Sequence, residues 1–273
     1  MNFSVLMSVY FKENPEYFDL ALKSNLLDQT LKPSEFVLVC DGPLNADLDK
    51  VIEKYRKLFP EIFKVYRLSE NGGLGEALNY GLKKCTYEIV ARSDSDDICV
   101  AERFEKQIEF LKNNTDIAVL GSAIDEFDFD PDKRVFLKLL PTTDAELYEF
   151  AKFRSPLNHM SVIFRKSVVQ SVGSYMHMKY LEDYYLWLRI LIAGYKIANL
   201  SDVLVHARIG NGMVYRRSNR EYISGWDKLS RYMLKEKMIN KAEYLRNILA
   251  VRAFIYMPVS IKTFSYKKML RKG

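Results

Sequence analysis

Ile89-Val90-Ala91 followed by Arg92-Ser93-Asp94-Ser95-Asp96-Asp97 is an apolar, β-prone run that breaks into three carboxylates within four residues. A buried strand ending in such a turn belongs at the carboxyl edge of a sheet, where open α/β proteins bind ligands. The same pattern recurs upstream. Phe3 to Ser8 is a first strand, and Phe36 to Cys40 is a second that ends in Asp41-Gly42-Pro43. Val65 to Leu68 is a third, short one. Helical spacing fills the gaps: Tyr17, Phe18, Ala21, Leu22 and Leu26 after the helix start Asn14-Pro15-Glu16; then Val51, Ile52, Tyr55 and Leu58; then Leu74, Ala77, Leu78 and Leu82. Phe104, Ile108 and Leu111 follow the acidic run, before a strand from Ile117 to Gly121. Strand–helix alternation of this kind predicts an α/β fold, a mostly parallel sheet covered by helices on both faces. Its strand ends gather Ser8, Val9, Tyr10, Asp41, Arg67 and Asp94 to Asp97 along one edge.

The second half is less regular. Arg134 to Leu139, Ser161 to Phe164 and Val203 to Ile209 read as strands. Leu181 to Ala193 reads as an aromatic-rich helix, and two more helices span about 219–236 and 241–256. The chain of 273 residues is 48% hydrophobic and 28% charged, which is globular composition. No stretch reaches the ~20 apolar residues that span a bilayer. The opening Asn2 to Met7 reads as a strand and not a signal peptide. Cys40, Cys85 and Cys99 lack a metal-ligand spacing and suggest free thiols in a reducing compartment. The net charge of +6 is uneven: residues 207–273 hold 16 Lys and Arg against 4 Asp and Glu, leaving the first 206 residues slightly acidic. A basic tail suits an anionic partner or is a solvated helix face. No nucleic-acid recognition motif accompanies it.

Three crowded carboxylates need a cation, and a hard divalent ion such as Mg²⁺ or Mn²⁺ takes oxygen ligands that it shares with phosphates. Capping of the following helix accounts for one Asp, not three. Asn71-Gly72-Gly73-Leu74-Gly75 is a loop entering a helix, whose N–H groups can approach an anion; tight helix–sheet packing explains the glycines equally well. It is neither a Walker loop nor a dinucleotide fingerprint.

Taken together, Ser8-Val9-Tyr10, Cys40-Asp41-Gly42, Asn71 to Leu74 with Ala77-Leu78-Asn79, and Ala91 to Asp97 resemble family 2 glycosyltransferases of the GT-A fold. The resemblance continues through Asn158-His159, Gly173-Ser174-Tyr175 and Leu181 to Trp187, over roughly residues 1 to 217. The subgroup most resembled builds bacterial exopolysaccharide, capsule or O-antigen units. It implies a catalytic domain over 1–215, with a nucleotide-sugar half (1–123) and an acceptor half (124–215), and a helical basic extension over 216–273. It implies that Ser8, Val9, Tyr10, Asp41, Arg67, Asn71, Asp94 and Ser95 bind the nucleotide. Asp41 would meet the base of a UDP-sugar, and Arg67 is either by the base or a solvated strand end. Asp96 would ligate the metal. Asp97, His159, Glu182 and Tyr184 would line the sugar sites, with Tyr184 open between stacking and core. Asp183 is either a cap of its helix or the general base of an inverting transfer. Arg208, Arg216 and Arg217 would meet the diphosphate around a Gly210–Tyr215 lid, and His206 is doubtful as a ligand. A processive-synthase signature is absent, which implies single additions. The acceptor would be a saccharide, free or lipid-linked. The segment Tyr256 to Lys272 mixes apolar and basic residues, as an interfacial helix does or as a helix packed on the body does. The expected location is the cytoplasm, peripheral on the membrane's inner face. A sugar-nucleotide pyrophosphorylase is a rival reading, but such enzymes need a Gly-rich loop where Tyr10-Phe11-Lys12-Glu13-Asn14 stands. A non-catalytic nucleotide-sugar binder is another.

Overall fold

The computed structural model describes residues 1–209 and 220–257, with the side chains of Arg220 and Tyr256 left aside. Among the described residues, nine strands form one mixed sheet: β1 (Phe3–Val9), β2 (Glu35–Cys40), β3 (Phe63–Arg67), β4 (Ile89–Ser93), β5 (Ile98–Cys99), β6 (Ile117–Phe127), β7 (Arg134–Lys138), β8 (Ile163–Arg165) and β9 (Lys196–Arg208). Their order is β3-β2-β1-β4-β8-β6-β9-β5, with β7 beside β6. The first four strands are parallel neighbours, as expected. The helices are α1 (Pro15–Leu26), α2 (Ala46–Leu58), α3 (Leu74–Lys84), α4 (Arg103–Asn113), α5 (Asp144–Phe150), α6 (Lys166–Ser171), α7 (Glu182–Ile192), α8 (Arg220–Lys235) and α9 (Lys241–Tyr256).

Local chemistry explains these elements. The Asn14 side chain accepts N–H bonds from Glu16 and Tyr17 ahead of Pro15, which starts α1 as the sequence suggests. Side chains alternate across β1 and β2. Phe3, Val5, Met7, Phe36 and Leu38 face one core, closed by α1, α2 and α4. Leu6, Val37 and Val39 face the other, closed by α3, α7 and α8. Trp226, Leu229 and Met233 of α8 share that second core with Leu186 and Trp187, so α8 packs on the body and is no loose appendage. Gly81 of α3 lies on β1 and β2; a Cβ there would fall 2.3 Å from Leu6 Cδ1 and 2.8 Å from Val39 Cγ2. Gly81→Ala is expected to cost about 1–3 kcal/mol by overpacking, read as a lower urea midpoint at unchanged slope.

Several boundaries differ from expectation. The strand expected over Ile117–Gly121 continues to Phe127, and that expected over Val203–Ile209 is the end of the long β9. These two strands run parallel with irregular register near Ser122–Ala123. Polar residues inside both masked their length: Ser122 and Asn199 donate to backbone carbonyls, and Asp125 pairs with His206. Ser161 belongs to a 3₁₀ turn (His159–Ser161), and β8 starts two residues later. The short β5 and the helices α5 and α6 carry too few apolar repeats to be seen. Arg216, Arg217, the expected lid and residues 258–273 lie outside the described residues. Among the described residues, no helix is long and apolar enough to cross a membrane.

Candidate active site

The acidic turn is held at both ends. β4 pairs with β1, placing Arg92 beside Leu6 and Ser93 beside Met7. After the turn, Ile98 and Cys99 pair with His206 and Val205 of β9. The carboxylates of Asp94, Asp96 and Asp97 converge within 4.8 Å of one another. Arg92, buried beneath them, forms an ion pair with Asp94. Its Nη2 bonds Asp94, while its Nε and Nη1 have no hydrogen-bond acceptor among the described residues. Burial and the neighbouring charges of Asp94 and Glu13 push the Asp96 carboxyl up to about 7. Burial, then Asp96 and Asp94, raise Asp97 well above the carboxylate range, although the Arg208 N–H donates to it at 2.8 Å.

Such a cluster favours occupation by protons or a cation. Its donors are carboxylate oxygens only, which fits Mg²⁺ or Mn²⁺ and not a softer ion. The Tyr10–Asn14 loop braces it: the Ser95 hydroxyl donates to Glu13 at 2.6 Å. Ser95, expected at the nucleotide, is therefore tied to a protein carboxylate. Glu13 is a site residue that no motif announced.

Along the edge, Tyr10 is exposed, with its ring against Phe11. Ser8 is partly exposed. The Val9 side chain points into the core and is not available to a nucleotide, and its carbonyl accepts the Asp41 N–H at 2.8 Å. The Asp41 carboxylate, expected at the base, accepts the N–H groups of Gly72 (2.8 Å) and Gly73 (3.0 Å). Asn71 Nδ2 donates to the Asp41 carbonyl at 3.1 Å. Thus two N–H groups that the loop could offer to a phosphate already hold a protein anion. Gly42 (φ +85°) packs so closely on this loop that a Cβ would fall 2.8 Å from Asn71 N. Arg67 reaches outward to Asp49 of α2 at 2.7 Å, on the sheet's edge strand, in line with the solvated-end alternative.

On the far side of the turn, His159 Nε2 meets the Tyr175 hydroxyl at 2.9 Å and its ring lies edge-on to Trp187. Burial, then the Arg92 charge, hold His159 well below its ordinary range, so it is neutral. Asn79 of α3 clamps the Tyr175 backbone, accepting its N–H at 2.9 Å and donating to its carbonyl at 2.6 Å. Burial raises the Tyr175 hydroxyl; Arg92 opposes that shift, while Asp183 and Asp94 add to it. One buried tyrosine therefore lies within electrostatic reach of both carboxylate groups. Glu182 and Asp183 open α7, both partly exposed. Burial, with a smaller contribution from Asp183, raises Glu182. A Cβ on Gly75 would lie 3.6 Å from Glu182 Cγ and 3.9 Å from Tyr175 Cβ, so the first turn of α3 abuts the start of α7.

Two expectations are corrected. Tyr184 is 1% exposed; its hydroxyl donates to the Ala151 carbonyl at 2.7 Å and its ring packs on Trp226, so it is core and not a sugar platform. Residue 184 follows Asp183 but points to the helix's other face. Arg208 is also buried. Its guanidinium lies 3.6 Å from the Tyr17 ring centroid and 4.5 Å from that of Phe127, and donates to the carbonyls of Asp96 and Asp128. It supports the acidic turn from within rather than reaching towards a diphosphate. His206 is engaged by Asp125 at 2.6 Å and is outside the acidic cluster.

The family model described as glycosyl transferase family 2 matches residues 4–173, which carry the sheet edge, the acidic turn and the His159 turn. The chain belongs to glycosyl transferase family 2. This glycosyltransferase is 43% identical over 271 residues to the amylovoran biosynthesis glycosyltransferase AmsE of Erwinia amylovora, covering 99% of this chain and 100% of that one. It is 35% identical over 271 residues to the Escherichia coli UDP-Gal:alpha-D-GlcNAc-diphosphoundecaprenol beta-1,3-galactosyltransferase, covering 99% and 97%. Its fold matches that of S. aureus TarS residues 1–349 in complex with UDP-GlcNAc, with TM-score 0.70, 21% identity and coverage of 98% and 77%. It also matches the mannosyltransferase PcManGT from Pyrobaculum calidifontis in complex with GDP-Man and Mn2+, with TM-score 0.64, 14% identity and coverage of 98% and 81%. The glycosyltransferase thus has the GT-A architecture, and an enzyme of sugar transfer replaces the pyrophosphorylase and binding-protein alternatives.

Proposed function

We propose that this enzyme transfers one sugar from a UDP-sugar to a hydroxyl of a lipid-diphosphate-linked saccharide, with inversion, in the assembly of a bacterial surface polysaccharide. The observation that carries the reading is the pair of carboxylate groups, Asp94/Asp96/Asp97 and Glu182/Asp183, both within electrostatic reach of Tyr175. Asp96 and Asp94 would hold Mn²⁺ or Mg²⁺. When bound, the ion would neutralise charge that develops on the departing diphosphate. Tyr10 and Ser8, at the end of β1, offer a ring face and a hydroxyl to the nucleoside. Asp183 takes the acceptor's proton as that oxygen attacks the anomeric carbon, and the nucleoside diphosphate leaves from the opposite face. Neutral, half-buried His159 and buried Tyr175 would line the space near both groups. The UDP donor and lipid-linked acceptor rest on likeness to the E. coli galactosyltransferase along nearly the whole chain. The basic 207–273 region would favour an anionic membrane that carries such an acceptor.

The test is nucleotide release from UDP-, GDP- and dTDP-sugars with a polyprenyl-diphosphate-linked GlcNAc acceptor, in Mn²⁺, Mg²⁺ or EDTA. Release from a UDP-sugar, lost in EDTA and with inverted product, is expected. Release from GDP- or dTDP-sugars alone would overturn the donor assignment, and full activity in EDTA the metal role.

A further inference from the structure

The polar residues Arg103 and Gln107 lie on the core face of α4, among Phe104, Ile108 and Leu111, and both are 0% exposed. All five guanidinium N–H groups are engaged. Nη2 donates to the carbonyls of Arg92 (2.6 Å) and Val162 (3.4 Å). Nη1 meets Ser93 Oγ (2.9 Å) and Cys99 Sγ (3.0 Å), and Nε meets Gln107 Oε1 (3.2 Å). Gln107 Nε2 in turn donates to the Ser161 carbonyl at 2.8 Å. Among the described residues Arg103 has no ion pair, so its charge is buried with neutral acceptors only. An apolar pair of similar volume would fill this space without the desolvation cost of a buried cation. What the arginine does that a methionine could not is to hold separate pieces of backbone in fixed relation.

Those pieces are informative. Arg92 and Ser93 immediately precede Asp94, and Cys99 follows Asp97 by two residues, so Arg103 grips the acidic turn at both its ends. Ser161 and Val162 close the turn that bears His159, and His159 bonds Tyr175, which lies in electrostatic reach of Asp183. Ser161 Oγ extends the grip by accepting the Ser122 N–H of β6 at 3.0 Å. We propose that Arg103 and Gln107 are positioning residues for the transfer: from within the core they fix the acidic turn against the His159 turn, and so set the distance between donor and acceptor. Neither residue touches substrate. Ångström-scale misplacement of bound groups is enough to cost orders of magnitude in rate. The proposal rests on assigning the acidic turn to the donor diphosphate.

The test uses the full chain with Gln107→Met, Arg103→Lys and Arg103→Met. Thermal stability, UDP affinity in Mn²⁺, and turnover per bound nucleotide are measured, the last with the UDP-sugar that the wild-type protein consumes in the release panel. Gln107→Met is expected to fold and to bind UDP–Mn²⁺ within about threefold of wild type, while turnover falls at least about tenfold. Arg103→Lys, which keeps the charge but not the five-donor fork, is expected to lose turnover similarly. Arg103→Met is expected to lose UDP–Mn²⁺ affinity as well, since the buried positive charge behind the turn is gone. Wild-type turnover in folded Gln107→Met and Arg103→Lys, with only the melting temperature lowered, would overturn the proposal and leave both as core residues. A wild-type protein that neither binds UDP with Mn²⁺ nor consumes a UDP-sugar would instead overturn the donor assignment beneath it.

Discussion

Asp183→Asn is expected to lower transfer by about 10²–10⁴-fold, the usual contribution of a general base, while UDP affinity in Mn²⁺ stays within a factor of about three of wild type. The asparagine keeps the volume and the helix-start geometry but cannot accept a proton at neutral pH. Asp183 opens α7, where the N–H groups of the first turn favour a negative side chain. Asn is also well tolerated at a helix start, so the substitution should cost only about a few tenths of a kcal/mol in helix stability. The neighbouring Glu182 is the internal control. It is raised by burial and by Asp183, and its Cγ faces Gly75 in the first turn of α3. Glu182→Gln should therefore disturb packing on the start of α3, and KM, more than kcat. Near-normal transfer by Asp183→Asn, with Glu182→Gln inactive, would move the base one residue back along the chain. Circular dichroism and UDP titration separate either result from misfolding.

The second large effect concerns pH and metal. In the unfolded chain Asp96 releases its proton near 3.8, whereas in the folded protein burial, Asp94 and Glu13 hold it up to about 7. Between those values the folded form binds more protons than the unfolded one, so stability falls as pH rises. Below the unfolded value the contribution is fully present, and above about 7 it has been lost. At about 1.4 kcal/mol per unit the upper bound is roughly 4 kcal/mol, or several degrees of melting temperature for a chain this size. Asp97 and Glu182 shift in the same direction and deepen the effect. Glu35 opposes it at the acid end only: burial works to raise it, but hydrogen bonds from Lys64, Ser4 and Thr86 prevail and lower it. The metal-free protein should thus melt progressively lower from pH 5 to 7.5. Mn²⁺ should restore stability more at pH 7.5 than at 5.5, because it replaces the protons that the cluster has lost. A thermal series with and without EDTA reads this directly. A midpoint that rises with pH in EDTA would mean that Arg92 alone neutralises the cluster. In Asp96→Ala the Mn²⁺-dependent gain should vanish.

The parts of the fold visible in advance are those with one-dimensional signals. β1 to β4 alternate with helices of 3.6-residue period, and each strand ends in polar residues, so parallel order and a ligand edge follow from pattern alone. The acidic turn was equally visible, since crowding of Asp94, Asp96 and Asp97 is a property of chain proximity. Tyr184 failed because a residue beside Asp183 in sequence lies about 100° away around a helix. Arg208 failed because a cation near an expected lid was assigned to the nearest anion in the reaction, whereas two aromatic rings and two carbonyls claim it. Glu13, Arg92 and Tyr175 acquire roles only when loops distant in sequence meet. Arg103 and Gln107 did leave a trace, as polar residues four apart on an apolar helix face, and such a break in pattern marks a buried network.

The sequence by itself determined the class of fold and the family, and it marked the acidic turn and the start of α7 as the places proposed for the chemistry. These depend on local period, on helix and turn chemistry, and on residues adjacent in the chain. Only the tertiary structure decided which charges face one another: Arg92 under Asp94, Glu13 beside Asp96, Asp41 spent on the Gly72–Gly73 backbone, and Arg103 spanning the two turns. The reason is physical. A side chain's partners are set by close packing and by the cost of leaving buried polar groups unpaired, and both conditions join residues tens of positions apart.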